Sequence, residues 1–395
     1  MTRTPARYGG DPIRDTTLGY GGQSIDARDK EAVADALDGD YITRGPTVQR
    51  FEERIADVVG VDHAVVTTSG TTALHLAGRA AGWGDGDEVI TTPLTFASTA
   101  HAATYTGAEP VFADIDSETR GLDPDAVRDQ ITADTVGLIP MHYGGHPADI
   151  EGLLEVADDH NLTVIWDACH GFGGTWDGEG LGAQRDMASF SFHPVKNITT
   201  GEGGAVVTDD EDLAARLRSL RSFNMDYNPS GHEDQPWYQV VEGLGYNYNM
   251  TDMQAALGLA QLDRLDAFKS RRDEIIRQYD KTFADVSGIR TPPATDGASP
   301  FYHLYAVEIG TGFGCDRGEF VAAMHSENIG VQVHYVPLHY HPFFQEEYGY
   351  QRGDFPVTEA VYDGLVSLPL FPEMTDEDIE DVITAVRRIQ SYHAE

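Results

Sequence analysis

Lysine is nearly absent from this chain. Only four occur in 395 residues, Lys30, Lys196, Lys269 and Lys281, and with arginine they total 27 cations against 65 Asp plus Glu, a net charge of −38. Nucleic acid and anionic membrane faces are recognised by clustered cations, so neither is an expected partner. The acidic residues are scattered, which describes a solvated surface and not a binding patch. Scattered acid with so little lysine points to a halophilic protein, because a Debye length of about 3 Å at 1 M salt screens the self-repulsion. Cysteine is equally scarce. Cys169 and Cys315 cannot build a disulfide framework and lack metal-ligand spacing, so both are expected as buried thiols. No run of about 18 apolar residues occurs, and the N-terminal MTRTPARYGGDPIRD has no apolar core. Neither a membrane span nor secretion is supported, and the cytoplasm is the expected compartment.

What is present is ample apolar material, 41% hydrophobic and 10% aromatic, in a chain long enough for two domains. One of the four lysines has an unusual setting. Lys196 lies between the aromatic strand-like Ser189-Phe190-Ser191-Phe192 and the turn Gly201-Glu202-Gly203-Gly204, with the apolar Ala205-Val206-Val207 beyond. A lysine is ordinarily a solvated surface charge. Here Pro194 fixes φ just before it and places it on a rigid bend. An amine held in an enclosed site loses basicity and can attack a carbonyl, as Schiff-base lysines do.

The rest of the chain alternates strands and helices. Residues 1–22 read as an irregular arm, and a helix is expected over Asp26–Leu37, ended by Asp38-Gly39-Asp40. Buried strands are expected at 64–68, 88–92, 110–116, 135–140 and 162–166, followed by a hairpin-like pair around Lys196. Ser69-Gly70-Thr71-Thr72 opens a helix, either as a plain N-cap or as an anion site built on free N–H groups. Asp167 stands at the C-terminal end of an apolar strand, where open α/β sheets bind ligands. A buried carboxylate there needs a cation, unless it only caps a turn. His142 and His146 would suit a metal only on a helix, which Gly144-Gly145 argues against, so no metal is expected. Phe223–Pro236 reads as a lid or interface arm. Met253–Phe283 has the spacing of one long helix. The proline-rich 291–300 then opens a small α/β domain in which His334–His341 reads as a strand and turn, not a zinc cluster. The alternation predicts an α/β fold with a mostly parallel, doubly wound sheet.

The run SFSFHPVKNITTGEGGAVVTDD resembles the lysine segment of the DegT-type nucleotide-sugar aminotransferases, and further motifs recur in that family's order from Tyr41 to Arg388. The resemblance implies a fold type I transferase: a large domain, 1–265, with a mostly parallel seven-stranded sheet flanked by helices, and a smaller C-terminal α/β domain, 266–395. It implies pyridoxal 5'-phosphate (PLP) as cofactor, carried by Lys196. Asp167 would hold the pyridine nitrogen, Gly70, Thr71 and Ser191 the phosphate, and His170 would contact the phenolic oxygen. Phe96 would stack on the ring, and Asn247 would reach the phosphate of the partner subunit in a homodimer with shared sites. Thr43 and Arg44 fall at the mouth of the substrate pocket, and His334 and His339 are expected to line it. Asn249 replaces an arginine often found there. The implied substrates are L-glutamate and a nucleotide-linked keto sugar. His193, three residues before the lysine, resembles the members that aminate C4 of UDP-4-keto-6-deoxy hexoses in surface polysaccharide or glycan biosynthesis. Two rival readings use the same fold. A sugar dehydratase of this kind has histidine in place of Lys196, and a non-catalytic regulator should have lost Lys196, Asp167 or Ser191. A phosphate-binding P-loop at 201–204 lacks its Lys-Ser/Thr pair.

Overall fold

A computed structural model describes residues 4–227 and 229–394. Residues 1–3 of the expected arm and residue 228 of the expected loop lie outside the described residues. Seven strands form the central sheet: β1 (His63–Thr67), β2 (Glu88–Thr91), β3 (Glu109–Phe112), β4 (Thr135–Ile139), β5 (Thr163–Asp167), β6 (Met187–Ser191) and β7 (Gly204–Thr208). Their order is β1-β7-β6-β5-β4-β2-β3. The run from β6 to β3 is parallel, each crossover being long enough to hold a helix. β7 is antiparallel to both its neighbours, because the chain returns from β6 through one loop. That loop, residues 192–203, carries Lys196. Register sets Asp167 of β5 against Ser189 of β6, so the carboxylate and the lysine loop leave the sheet at the same end.

Helices α1 (Ala27–Leu37), α2 (Pro46–Val59), α3 (Gly70–Ala81), α4 (Ala97–Thr106), α5 (Pro124–Gln130), α6 (Ile150–His160) and α7 (Glu211–Arg221) belong to this half. Several start where the sequence supplies a cap. Asp26 accepts the N–H of Arg28 and Asp29 at the head of α1, and Asp210 accepts that of Leu213 at α7. The main core is aromatic and fully enclosed, with Phe51, Trp166, Phe190 and Phe192 at its centre.

The expected long helix over 253–283 is two helices, α8 (Asp252–Leu262) and α9 (Leu265–Phe283). The break falls at Asp263-Arg264, where the Arg264 guanidinium turns inward to the buried Asp29 carboxylate and the Ser24 carbonyl. α9 then joins two cores. Phe268 packs in the first, while Ile275, Tyr279 and Phe283 belong to a second with Tyr305, Phe320 and Ile389. The second core sits on a small antiparallel sheet of β8 (Ile289–Arg290), β9 (Tyr305–Ile309) and β10 (Leu365–Leu368). Helices α10 (Arg317–Ser326), α11 (Pro342–Tyr348), α12 (Pro356–Gly364) and α13 (Asp376–His393) complete it. The N-terminal arm is pinned to this unit. Leu18 enters its core, and the buried Glu327 carboxylate accepts the backbone N–H of Ala6 and of Ile13.

Two further expectations are corrected. Residues 331–337 form no strand, only a single bridge from Gln332 to Ser367, and a short turn at Leu338–Tyr340 follows. Neither cysteine is fully enclosed, both being partly exposed.

Candidate active site

The C-terminal edge of the sheet opens into a cavity of about 590 Å³ that collects most of the chemistry-bearing residues. β5 delivers Asp167 into it, 2% exposed. One carboxylate oxygen accepts the Thr99 hydroxyl from α4 at 2.6 Å, and the other accepts the Cys169 N–H at 3.1 Å. No ion-pair partner for it stands among the described residues. Lys196 faces the same space from a turn closed by its own N–H on the His193 carbonyl at 2.9 Å. Burial pushes its amine below the usual lysine range, and the nearby Cys169 and Asp167 oppose that only in part. Desolvation disfavours the ammonium form, so more of the amine stands unprotonated and available as nucleophile and base.

A third wall is the start of α3. Ser69 caps it, accepting the Thr72 N–H at 3.1 Å, while the Thr72 hydroxyl accepts the Ser69 N–H at 2.9 Å. The turn is therefore an N-cap and a cavity wall together, with Thr68, Gly70 and Thr71 all facing the space. A side chain at position 70 would place Cβ 2.8 Å from Ser191 Cβ and 3.2 Å from its hydroxyl. Only glycine keeps that cradle of N–H groups and hydroxyl open to an anion.

The remaining walls are aromatic. Phe96 is 56% exposed, its ring centroid 5.9 Å from that of Tyr335. His170 is buried, with Nδ1 accepting the Gly144 N–H at 3.2 Å and Nε2 3.0 Å from the Tyr335 hydroxyl. His334 bonds Ser367 through Nδ1 at 2.9 Å, and burial beside Lys196 lowers it to about 4. His193 is exposed at the rim. Tyr20, Cys169, His303 and Tyr335 line the cavity too, although none of them was expected as a site residue. Tyr20 arrives on the arm, held by its carbonyl to the Leu370 N–H at 3.1 Å. His303 packs against His170 at 4.6 Å, and its buried Nδ1 has no partner. A second cavity of about 540 Å³ adjoins, sharing Tyr20, Phe96, His334 and Tyr335 and extending to His101 and Phe343.

Four expected residues are not brought to Lys196. His339 is fully buried inside the small unit, its Nε2 3.0 Å from Glu359 and its ring against Phe355, because the turn at 338–340 points it inward. It lines neither cavity, which corrects the substrate-pocket expectation. Thr43, Arg44 and Asn247 gather elsewhere. Thr43 bridges Thr251, and the Gly45 and Thr47 N–H groups bond the Asp252 carboxylate at the head of α8. Arg44 lies over the Tyr227 ring and, with Asn249, lines a different cavity of about 400 Å³. Asn247 is exposed, its side-chain oxygen accepting from Asn249 at 3.1 Å.

Known proteins resemble this chain in sequence and in fold. The spore coat polysaccharide biosynthesis protein SpsC of Bacillus subtilis is 42% identical over 384 residues, covering 95% of this chain and 98% of that protein. The solved structure of DesI in the presence of its TDP-sugar product is 35% identical with a TM-score of 0.86, covering 97% and 95% of the two chains. Spr1654 of Streptococcus pneumoniae, solved in its PLP form, is 28% identical with a TM-score of 0.89, covering 95% and 99%. The residues of the cavity fit PLP: a buried carboxylate in no ion pair among the described residues suits a pyridinium, a desolvated amine suits the aldehyde, and the Gly70–Ser191 cradle suits the phosphate. With residues 23–387 matching its description, the chain belongs to the DegT/DnrJ/EryC1/StrS aminotransferase family, whose enzymes depend on PLP.

Proposed function

We propose that this enzyme transfers the amino group of L-glutamate to a nucleoside-diphosphate-linked keto sugar, placing it on C4 of a UDP-linked 4-keto-6-deoxy hexose for surface polysaccharide or glycan biosynthesis in the cytoplasm. The observation that carries the reading is the convergence of Asp167, Lys196 and the α3 N-terminus on one cavity, with Asp167 buried and in no ion pair among the described residues. Bound PLP supplies an electron sink that makes the α-proton of an amino acid removable. The chain's part is to hold and move protons. Asp167 keeps a proton on the pyridine nitrogen, oriented by Thr99 from behind. Lys196, its basicity lowered by burial, takes the α-proton of the donor and returns one to the sugar carbon in the second half-reaction. Gly70, Thr71 and Ser191 anchor the phosphate, Phe96 covers the ring, and His170 holds the side of the cavity next to Asp167.

The adjoining cavity, lined by Tyr20, His101, His334 and Phe343, supports a substrate longer than a free amino acid, reaching past Phe96 towards the small unit. SpsC's polysaccharide role and DesI's TDP-sugar product favour a sugar nucleotide there. His193 at the rim selects which carbonyl carbon reaches the amine, since transfer needs reacting atoms about 3 to 3.5 Å apart. Thr43, Arg44 and Asn247 complete the site of the partner subunit in a homodimer.

The test is to incubate PLP-loaded protein with L-glutamate and a panel of UDP- and TDP-linked 3-keto and 4-keto sugars, reading the product by NMR. Amine on C4 is expected. An amine on C3 with no turnover of 4-keto sugars would falsify the position, and turnover without consumption of glutamate would reject the donor.

A further inference from the structure

We propose that Tyr335 donates its hydroxyl proton to a ligand oxygen in the Lys196 cavity, as the outward end of a chain running Gly144, His170, Tyr335 whose direction the backbone fixes. The proposal rests on the aminotransferase reading for the identity of the ligands, but not for the direction of the chain. That direction follows from one bond. The Gly144 N–H can only donate, and its acceptor is His170 Nδ1 at 3.2 Å. Nδ1 therefore carries no proton, and the proton of the neutral ring is on Nε2. Burial drives His170 well below the usual histidine range, with Lys196 and His334 adding to the effect, so the neutral ring is the relevant form. Nε2–H then donates to the Tyr335 hydroxyl oxygen at 3.0 Å.

A phenol that accepts from one side retains its own proton. Among the described residues no acceptor for the Tyr335 proton is present, since His170 is the hydroxyl's partner. Burial, together with Tyr143, Asp167, Cys169 and Tyr20, holds this phenol well above its ordinary range, so it remains a donor throughout working pH. Tyr335 also occupies the wall common to the two cavities. Its free proton thus meets whatever oxygen a ligand presents there.

His170 serves as the positioning residue behind that donor, because its only proton is committed to Tyr335. The ligand oxygen has to be electron-rich: either the phenolic oxygen of PLP or the carbonyl oxygen of the keto sugar. A donor here stabilises negative charge on either one.

Two experiments test this. The first uses cofactor-free protein labelled with ¹⁵N-histidine, the His170 signals being assigned by their loss in His170→Asn. The expected pattern is a neutral ring protonated at Nε2. The opposite tautomer, or a cationic ring at neutral pH, overturns the proposal whatever the enzyme's substrates are.

The second compares Tyr335→Phe with the unaltered enzyme, both loaded with PLP. If the acceptor is the cofactor's phenolic oxygen, the pH-dependent transition of the absorbance band near 400 nm (about 400 nm for this chromophore) moves upward by about one unit or more. The sign follows because the lost donor favoured the deprotonated form. If the acceptor is the sugar's carbonyl oxygen, the transition stays in place. The half-reaction with the UDP-4-keto sugar then slows roughly 10- to 100-fold, while the half-reaction with glutamate is unchanged. A variant altered in neither respect removes Tyr335 from the site.

Discussion

The two groups of candidate residues sit in contrasting surroundings. Around Lys196, three buried polar side chains are held from behind: Asp167 by Thr99 and the Cys169 N–H, His170 by Gly144 and Tyr335, His334 by Ser367. Around Asn247 the chain is open. Trp237 is 74% exposed, Leu244 69% and Val241 65%, and Tyr41, Ile42 and Phe223 are exposed beside the Thr43–Arg44 and Asn247 segments. Apolar side chains left in water at this density mark an interaction surface. In the proposed homodimer, the contrast divides the site into a half that one chain finishes and a half that its partner would finish.

Removing the finished half has the largest expected effect. Lys196→Ala should abolish transamination, at least about 1,000-fold, if the lysine carries the cofactor and moves the proton as proposed. The purified variant also loses the absorbance near 400 nm (about 400 nm for the lysine-bound chromophore), as borohydride treatment of the unaltered protein should also show. An unchanged melting temperature separates this from misfolding. A variant that keeps both band and turnover ends the assignment of Lys196.

Breaking the open half should cost less, and in a way that can be repaired. Loss of one hydrogen bond to a charged phosphate weakens by about 1.5–3 kcal/mol, so Asn247→Ala should reduce cofactor affinity roughly 10- to 100-fold. Mixing it with Lys196→Ala under conditions of subunit exchange should restore activity, since one of the two sites in a hybrid dimer has Lys196 and Asn247 both intact. Demonstrated exchange without recovery would show that Asn247 acts within its own chain or not at all.

The same contrast explains what was legible in the sequence. Asp167 at a strand end and Lys196 on a proline-fixed bend were marked by local pattern, whereas Gly70 and Ser191 were assigned to the phosphate only by the family resemblance. Tyr20, His303 and Tyr335 reach the cavity from the arm and the small unit, through contacts such as Tyr20 with Leu370 that no spacing encodes. His339 failed for the opposite reason. Without a strand across 331–337, alternation could not decide which of the two histidines faces inward, and the short turn at 338–340 settled it. The break between α8 and α9 was invisible because apolar spacing continues through Leu265. A side chain far off in sequence, Asp29, draws Arg264 out of line. The sheet itself was plain, since its strands are short apolar runs bounded by turns.

Salt should have the smallest effect on the cavity and should divide the regions most cleanly. The charge of −38 is carried by 65 carboxylates that face 27 cations, so unscreened repulsion opposes the compact state across the surface. Ion pairs do not offset it at the exposed positions. Arg54–Asp263 and Arg128–Glu155, for example, are solvated contacts worth little. Raising KCl from 0.1 to about 3 M shortens the screening length from about 10 Å to under 3 Å, below the spacing of most surface charges. The melting temperature should climb steeply over that range, and the proposed dimer should tighten as exposed apolar side chains such as Trp237 and Leu244 are driven from water. The cavity should respond little. Asp167 is buried and Lys196 half-buried in the cavity wall, where mobile ions screen weakly, so the position and pH dependence of the bound cofactor's absorbance should hold constant while stability rises. A melting temperature flat in KCl would remove the halophilic reading. A cofactor spectrum that tracks salt as strongly as stability does would show that the two regions are not separated as their burial implies.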